Sequence, residues 1–304
     1  MPSPLPRRRF LSLLGAGAAT VATRTVRAAT TAPQLGFQRV DLGLAGNEEI
    51  ARRALMLVPD NLDPGQRHPA VILLHGYAHA LKPEGVAIKA WEESFRVTQA
   101  YERLCTPPIE PLYRQAAYLS HRRQDELNQS LLSNPFRGLV LVCPYTPNPY
   151  FRRQSGPLFR LYAEWIEREL VPAVCHRGPV ALDRKRIGLT GVSMGGHVAL
   201  ELFLRRPEVF HSFCGIQIAI SRRQAWTYAR RLRDVLRRVG PRPLEVITSS
   251  NDYYRYANES LHQALRSGDV PSRLLLPRGP HTPAWMREIG ALEALLFHDR
   301  QLHG

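Results

Sequence analysis

The chain has 304 residues, 44% of them hydrophobic, and carries 41 Lys and Arg against 26 Asp and Glu, a formal net charge of +15. That length and apolar content can bury one sizeable core, and α/β chains of this size commonly stay single-domain. Lys82, Lys89 and Lys185 are the only lysines, so the basicity is arginine. It comes without the aromatic-interleaved basic motif of a nucleic-acid module, so no nucleic-acid partner is expected.

The first 28 residues differ in kind from the rest. No acid precedes Asp41, and the arginines lead into a mildly apolar Ala/Gly/Leu run. Arg7 and Arg8, with Arg9, Phe10 and Leu11 following, look like a twin-arginine export signal. Phe10 to Ala22 is too short and too weakly apolar for a membrane span. Cleavage after Ala28 would remove five arginines and leave a charge of about +10. The expected organisation is a signal peptide over 1–28, a linker over 29–36 and a catalytic domain over 37–304.

Phe37 to Leu44 and Glu49 to Val58 read as an antiparallel hairpin turning at Gly46 and Asn47. Pro69 to Leu74 is a continuous apolar strand, and His75, Gly76 and Tyr77 follow it at once. The Tyr77 N–H is a candidate oxyanion donor there, with Gly76 allowing a sharp exit. His75 and His79 have HxxxH spacing but no helix and no third ligand, so no metal site is expected. Lys82 to Gly138 is long for a connection between core strands. It reads either as a partial lid or as a crossover helix with surface elaboration.

Leu139 to Cys143 is the next strand, and the loop Pro144 to Gly156 should border a pocket with Tyr145, Asn148, Tyr150 and Phe151. A helix with apolar residues from Leu158 to Val174 follows, to be ended or kinked by Pro172. Arg186 to Leu189 is a buried strand, and GLTGVSMGG (Gly188 to Gly196) turns it into a helix. A serine between glycines at such a corner is forced into a strained conformation that exposes its hydroxyl. Gly191 and Gly195 let strand and helix approach, and the Met194 N–H at the helix start can face an oxyanion. The competing reading is a glycine-rich structural turn with an incidental serine.

Phe213 to Ile220 is a strand and Arg222 to Val239 a basic amphipathic helix. A solvated outer face explains its arginines more simply than a membrane or partner surface. Leu244 to Ser249 ends beside Asp252, helix Tyr256 to Ser267 follows, and strand Ser272 to Leu276 ends beside His281. The chain order Ser193, Asp252, His281 is the one an α/β-hydrolase requires. Asp183 and Asp269 each precede a strand, the wrong end for the task. His197, His211, His262 and His298 fall within or at the ends of predicted elements. Cys105, Cys143, Cys175 and Cys214 allow three complete pairings, none with CxxC spacing, and buried free thiols suit Cys143 and Cys214.

The run DRKRIGLTGVSMGGHVALELFLRRPEVF resembles the nucleophile region of the putative-esterase group of α/β-hydrolases, which includes esterase D, feruloyl esterases, polyester depolymerase-like enzymes and mycolyltransferases. GPHTPAWMREIGALEALL is similar to that group's catalytic-histidine segment, with Trp285 opening the last helix, and HGY at 75–77 also matches. The resemblance spans roughly Phe37 to Phe297 and is specific for fold and triad, not for substrate. The long segment after the first buried strand, and Thr282 and Pro283 after the histidine, depart from the commonest members.

The expectation is therefore an α/β-hydrolase fold, with a mostly parallel sheet and helices on both faces, working as an exported serine ester hydrolase. Ser193, Asp252 and His281 would form the triad, Met194 and Tyr77 N–H groups the oxyanion hole, and Tyr145 and Trp285 part of the substrate site. No cofactor or metal is needed. The substrate would be a small-molecule or polymeric ester, the export partner the twin-arginine translocase, and the destination the periplasm or the medium. An acyltransferase or a peptidase would use the same machinery. A catalytically silent envelope binding protein is the non-enzyme alternative.

Overall fold

The computed structural model describes residues 35–303 apart from 48, 114–117 and 182. The predicted signal peptide and most of the linker lie outside the described residues. Strands β1 (Phe37–Asn47), β2 (Ala51–Pro59), β3 (Ala70–Leu74), β4 (Val140–Pro144), β5 (Ile187–Val192), β6 (Ser212–Ile216), β7 (Leu244–Ile247) and β8 (Arg273–Leu275) join in one sheet. Its order is β1-β2-β4-β3-β5-β6-β7-β8. Strand β2 runs antiparallel to β1 and β4, and all later pairings are parallel.

Parallel strands joined by helical crossovers are covered on both faces, and β3, β4, β5 and β6 are buried at every residue. Their side chains alternate between two cores. Ala70, Ile72 and Leu74 point into one, Val71 and Leu73 into the other. The first core is closed by α5 (Gly156–Trp165), α6 (Val171–Arg177), α7 (Met194–Arg205), α8 (Arg222–Val239) and α9 (Arg255–Ser267). The second is closed by α3 (Val97–Cys105), α4 (His121–Ser133), α10 (Pro283–Trp285) and α11 (Ala291–Leu302). Two single-turn helices, α1 (Tyr77–Ala80) and α2 (Glu84–Ala87), follow β3.

Many described residues of the segment 82–138 enter the second core. Val97, Ala100, Tyr101 and Leu104 recur at threes and fours, which gives α3 one apolar stripe, and that stripe is buried. Trp91, Leu127 and Leu131 are buried in the same core as Leu292 and Leu295 of α11. Arg123 clamps the buried Glu293 carboxylate with two bonds of 2.7 and 2.6 Å, and Arg103 Nη1 donates to the Glu288 carbonyl at 2.8 Å.

Pro172 does not end its helix, which continues as α6 through Arg177. Residues Ile166–Leu170 widen into a π-helical turn between α5 and α6, which absorbs the hydrogen bond that proline cannot donate. The four cysteines are free thiols, with Cys143, Cys175 and Cys214 buried and Cys105 half-buried. Burial pushes the Cys143 and Cys214 thiols up, so they behave as small apolar residues. Among the described residues no helix is long and apolar enough to cross a membrane.

Candidate active site

The corner between β5 and α7 is occupied by Ser193 at φ 57°, ψ −120°, a conformation that L-residues rarely adopt. The surrounding backbone holds it there. Ser193 N–H donates to the Ile216 carbonyl at 2.9 Å, and its own carbonyl accepts from Ala219 N–H at 3.0 Å and His197 N–H at 3.2 Å. A Cβ on Gly195 would sit 2.5 Å from both the Leu74 and His75 carbonyl oxygens, and one on Gly191 would collide with the Gly195 carbonyl. Only glycine lets the helix start that close to β3 and β5. The serine side chain makes no capping bond, so its hydroxyl stays available to the cavity it lines.

Two backbone donors start helices beside that hydroxyl. Met194 is the first residue of α7 and Tyr77 the first of α1, where N–H groups lack intrahelical acceptors. A Cβ on Gly76 would lie 3.6 Å from Ser193 Cβ, so the β3 exit passes directly over the serine. His75 fixes that exit. Its Nε2 accepts from Thr146 N–H at 3.0 Å, its Nδ1 donates to the Gly76 carbonyl at 3.2 Å, and its own N–H donates to Thr146 Oγ1 at 3.1 Å. Burial lowers its pKa to about 3, so the ring is neutral and acts as a brace between the β3 and β4 exits. His79, spaced from it as HxxxH, is bonded instead to Ser94 Oγ at 2.9 Å.

Asp252 and His281 arrive from the ends of β7 and β8. Their loops are stitched together: Ser250 N–H donates to the Pro277 carbonyl and Asn251 N–H to the Gly279 carbonyl, each at 3.0 Å. Gly279 at φ 130° turns the chain toward His281. His281 Nδ1 lies 2.7 Å from Asp252 Oδ1, and Thr248 Oγ1 donates to Oδ2 at 2.6 Å, so both carboxylate oxygens have partners. The carboxylate is fully enclosed while the imidazole keeps 20% of its surface. Ser193 and His281 line one cavity of about 300 Å³. Its remaining wall includes Ala78, Phe95, Val192, Pro283 and Met286, and its only ionisable rings are His79, His281 and Tyr77. A hydroxyl, an imidazole held by a carboxylate and two helix-start N–H groups are the parts that acyl transfer needs.

The two residues predicted to touch substrate do not reach this cavity. Trp285 has no exposed surface and donates its Nε1–H to the Arg278 carbonyl at 3.0 Å, which makes it a packing residue beneath Gly279. Tyr145 spends its hydroxyl on the Ala80 carbonyl at 3.2 Å, bracing α1 from outside. The neighbouring residues of the same loop come closer to the site. Tyr150 and Phe151 are exposed and pack on Tyr77, a lining residue, with ring centroids 6.4 and 6.3 Å away. Tyr253 and Tyr254 flank the His281 ring at 5.7 and 5.8 Å.

Gln217 went unremarked in the sequence. It is fully buried at φ 46° directly after β6. Its Nε2 donates to Ser249 Oγ at 2.8 Å and to the Pro280 carbonyl at 3.3 Å, strapping the carboxylate loop to the histidine loop. Its Oε1 has no donor and the residue lines the cavity. The signal was a lone amide ending an apolar strand next to the nucleophile strand. His197 is engaged elsewhere: Nε2 meets Tyr228 Oη at 2.8 Å, Tyr228 donates to Glu201 at 2.6 Å, and burial lowers the ring's pKa to about 4.

Comparison with known proteins bears on the fold and on the segment around Ser193. A family model described as "Putative esterase" matches residues 145–244, the third of the chain that holds Ser193. No curated protein matches by sequence. Among solved structures, a ferulic acid esterase superposes with TM-score 0.61 at 16% identity, covering 89% of this chain and 99% of that one. An S-formylglutathione hydrolase from Staphylococcus aureus gives 0.60 at 11% identity, covering 87% and 99%. The feruloyl esterase module from Clostridium thermocellum, a complex with sinapinate, gives 0.59 at 13% identity, covering 89% and 90%. The chain thus shares the α/β-hydrolase fold of these enzymes, and an esterase family model matches the third of it that holds the serine corner.

Proposed function

We propose that the protein is an exported carboxylic ester hydrolase that works through an acyl-enzyme. The observation carrying this reading is the strained Ser193 opening onto the same cavity as a carboxylate-held His281. Ser193 Oγ attacks the ester carbonyl carbon while His281 Nε2 takes the hydroxyl proton. The Met194 and Tyr77 N–H groups receive the oxyanion. As the tetrahedral adduct collapses, the imidazolium returns that proton to the leaving alcohol, and water repeats the sequence to free the acid. Asp252 accepts the Nδ1–H, which keeps Nε2 basic and stabilises the imidazolium.

The cavity wall supports an uncharged acyl group, since Ala78, Phe95, Val192, Pro283 and Met286 offer apolar surface and no counter-ion. The exposed Tyr77, Tyr150 and Phe151 would flank the approach. Export rests on Arg7 and Arg8 ahead of a weakly apolar run. It implies passage through the twin-arginine translocase to the periplasm or beyond, and Arg7→Lys/Arg8→Lys should retain the precursor in the cytoplasm.

The test is labelling of the purified mature protein by a fluorophosphonate, alongside turnover of an activated aryl ester. Wild type labels, Ser193→Ala and His281→Ala do not, and Ser193→Ala lowers kcat by about 10⁴-fold or more. A folded wild type that neither labels with a small reagent nor shows a burst sinks the reading.

A further inference from the structure

On the outer surface of α8 and α9, two adjoining cavities of about 390 and 320 Å³ share Arg233 and Gly268 and so form one groove. Along α8 the groove meets Trp226, Arg230, Arg233 and Arg237, and Arg242 continues the row before β7. Steps of four, three and four residues put those helix positions on one stripe about 16 Å long. The opposite stripe, including Ala225, Tyr228, Leu232 and Val235, is buried in the core, so the helix cannot rotate the arginines away. Ser221 and Gln224 form a reciprocal capping box at its start, and Gly240 at φ 85° ends it. The groove shares no residue with the catalytic cavity.

The groove carries a net positive charge. Asp269 lines it, and Asp234 lies 3.9 Å from Arg233 Nε. Among the described residues no ion pair reaches Arg230, Arg237 or Arg242, whereas Arg123, Arg205 and Arg206 are each paired with a glutamate. Arg233 Nε is buried without a hydrogen-bond acceptor. Guanidinium groups in a row favour bidentate contact with successive carboxylates. A concave furrow between two helices admits a single chain and does not fit a flat bilayer. Trp226, 55% exposed, is the one aromatic ring in it. One ring suits stacking on the apolar face of a sugar, while single-stranded nucleic acid calls for a series of rings under successive bases.

We infer that the α8–α9 groove binds a linear acidic polysaccharide, its arginines taking the carboxylates and Trp226 stacking on a sugar ring. This site stands apart from the esterase reading, and its test reads binding. Affinity for polygalacturonate is measured at 50 and 300 mM NaCl, with neutral dextran, oligo(dT) and phosphatidylglycerol vesicles as comparisons. Wild type binds polygalacturonate and not dextran, and loses about tenfold or more in affinity across that salt range. Arg230→Gln/Arg233→Gln/Arg237→Gln weakens binding about 30-fold and flattens the salt dependence. Trp226→Ala weakens it about fivefold at unchanged salt dependence. Both variants keep wild-type turnover of a soluble aryl ester, which shows that they fold. The inference is overturned if wild type does not bind at 50 mM salt, if the triple variant binds as wild type does, or if Trp226→Ala has no effect. Tighter binding of oligo(dT) or vesicles through the same arginines overturns it as well.

Discussion

At the carboxyl ends of the strands the chain builds its candidate site from backbone, with Ser193 held at φ 57° and Gly191 and Gly195 allowing main chains to touch. Along α8 and at the amino ends of β7 and β8 it builds a groove from side chains alone, with arginines projecting from a helix whose backbone is wholly regular. The first arrangement places atoms to within a fraction of an ångström and tolerates little change. The second places charge, which acts over a Debye length of about 8 to 10 Å and tolerates shifts in any one side chain. Precision of chemistry and reach of binding thus come from different levels of the same chain.

The sharpest way to break this contrast is one methyl group at the backbone-built end. Gly195→Ala would set a Cβ 2.5 Å from two carbonyl oxygens that belong to β3 and its exit, so the corner has to open. We expect kcat to fall by about 10²-fold or more, since small misplacements of reacting groups cost that much. Gly43→Ala, whose Cβ meets nothing within 4 Å, serves as the control and should leave kcat unchanged. Equal activity in the two variants would remove the case for a backbone-limited site.

A smaller effect is expected where a side chain supports the backbone. Gln217→Leu deletes the strap from Ser249 Oγ to the Pro280 carbonyl and leaves cavity volume nearly constant. His281 then loses a fixed perch, so kcat should drop about tenfold with KM nearly unchanged. Gln217→Glu should not rescue at alkaline pH, where an ionised carboxylate cannot donate to Pro280. A KM-only change would instead mark Gln217 as a substrate contact.

The smallest effect lies away from the catalytic end. Glu245 on β7 is buried with neither carboxylate oxygen hydrogen-bonded, although Arg273 Nε lies 3.1 Å from Oε1 without bonding geometry. Burial, opposed by Arg273 and reinforced by Glu293, pushes its pKa up to about 8. A folded-state pKa above the unfolded value means that ionisation opposes folding. The penalty is absent below pH about 4.5, grows as pH rises and is complete above about 8. Glu245→Gln should therefore match wild type in Tm near pH 5 and exceed it by several degrees at pH 9, with ester turnover unaffected. A Tm difference independent of pH would refute this account.

Local pattern made much of the molecule legible. The amphipathic pattern bounds α8 at Arg222 and Val239, where the structure caps it with Ser221 and Gly240, and the glycines around Ser193 mark the strand–serine–helix corner. Asp252 and His281 were singled out because each follows a strand end, and the structure sets them 2.7 Å apart. Tyr145 and Trp285 were misassigned because sequence locates a loop near a site without saying which way each side chain turns. Trp285 turns under Gly279, where a Cβ would collide with its ring, and Tyr145 turns to Ala80.

What the sequence by itself determined is periodic or adjacent: alternation in buried strands, threes and fours in helices, and the order Ser193, Asp252, His281. What only the tertiary structure decided depends on contacts distant in the chain. Burial of Trp91 and Tyr101 in one core with α11 packs this part of the chain against the sheet. Gln217 gains meaning from Ser249 and Pro280, 32 and 63 residues away. The arginines of α8 become a groove only because α9 packs alongside them. Such pairings carry no local period, since which surfaces meet is settled by burying the most apolar area at once.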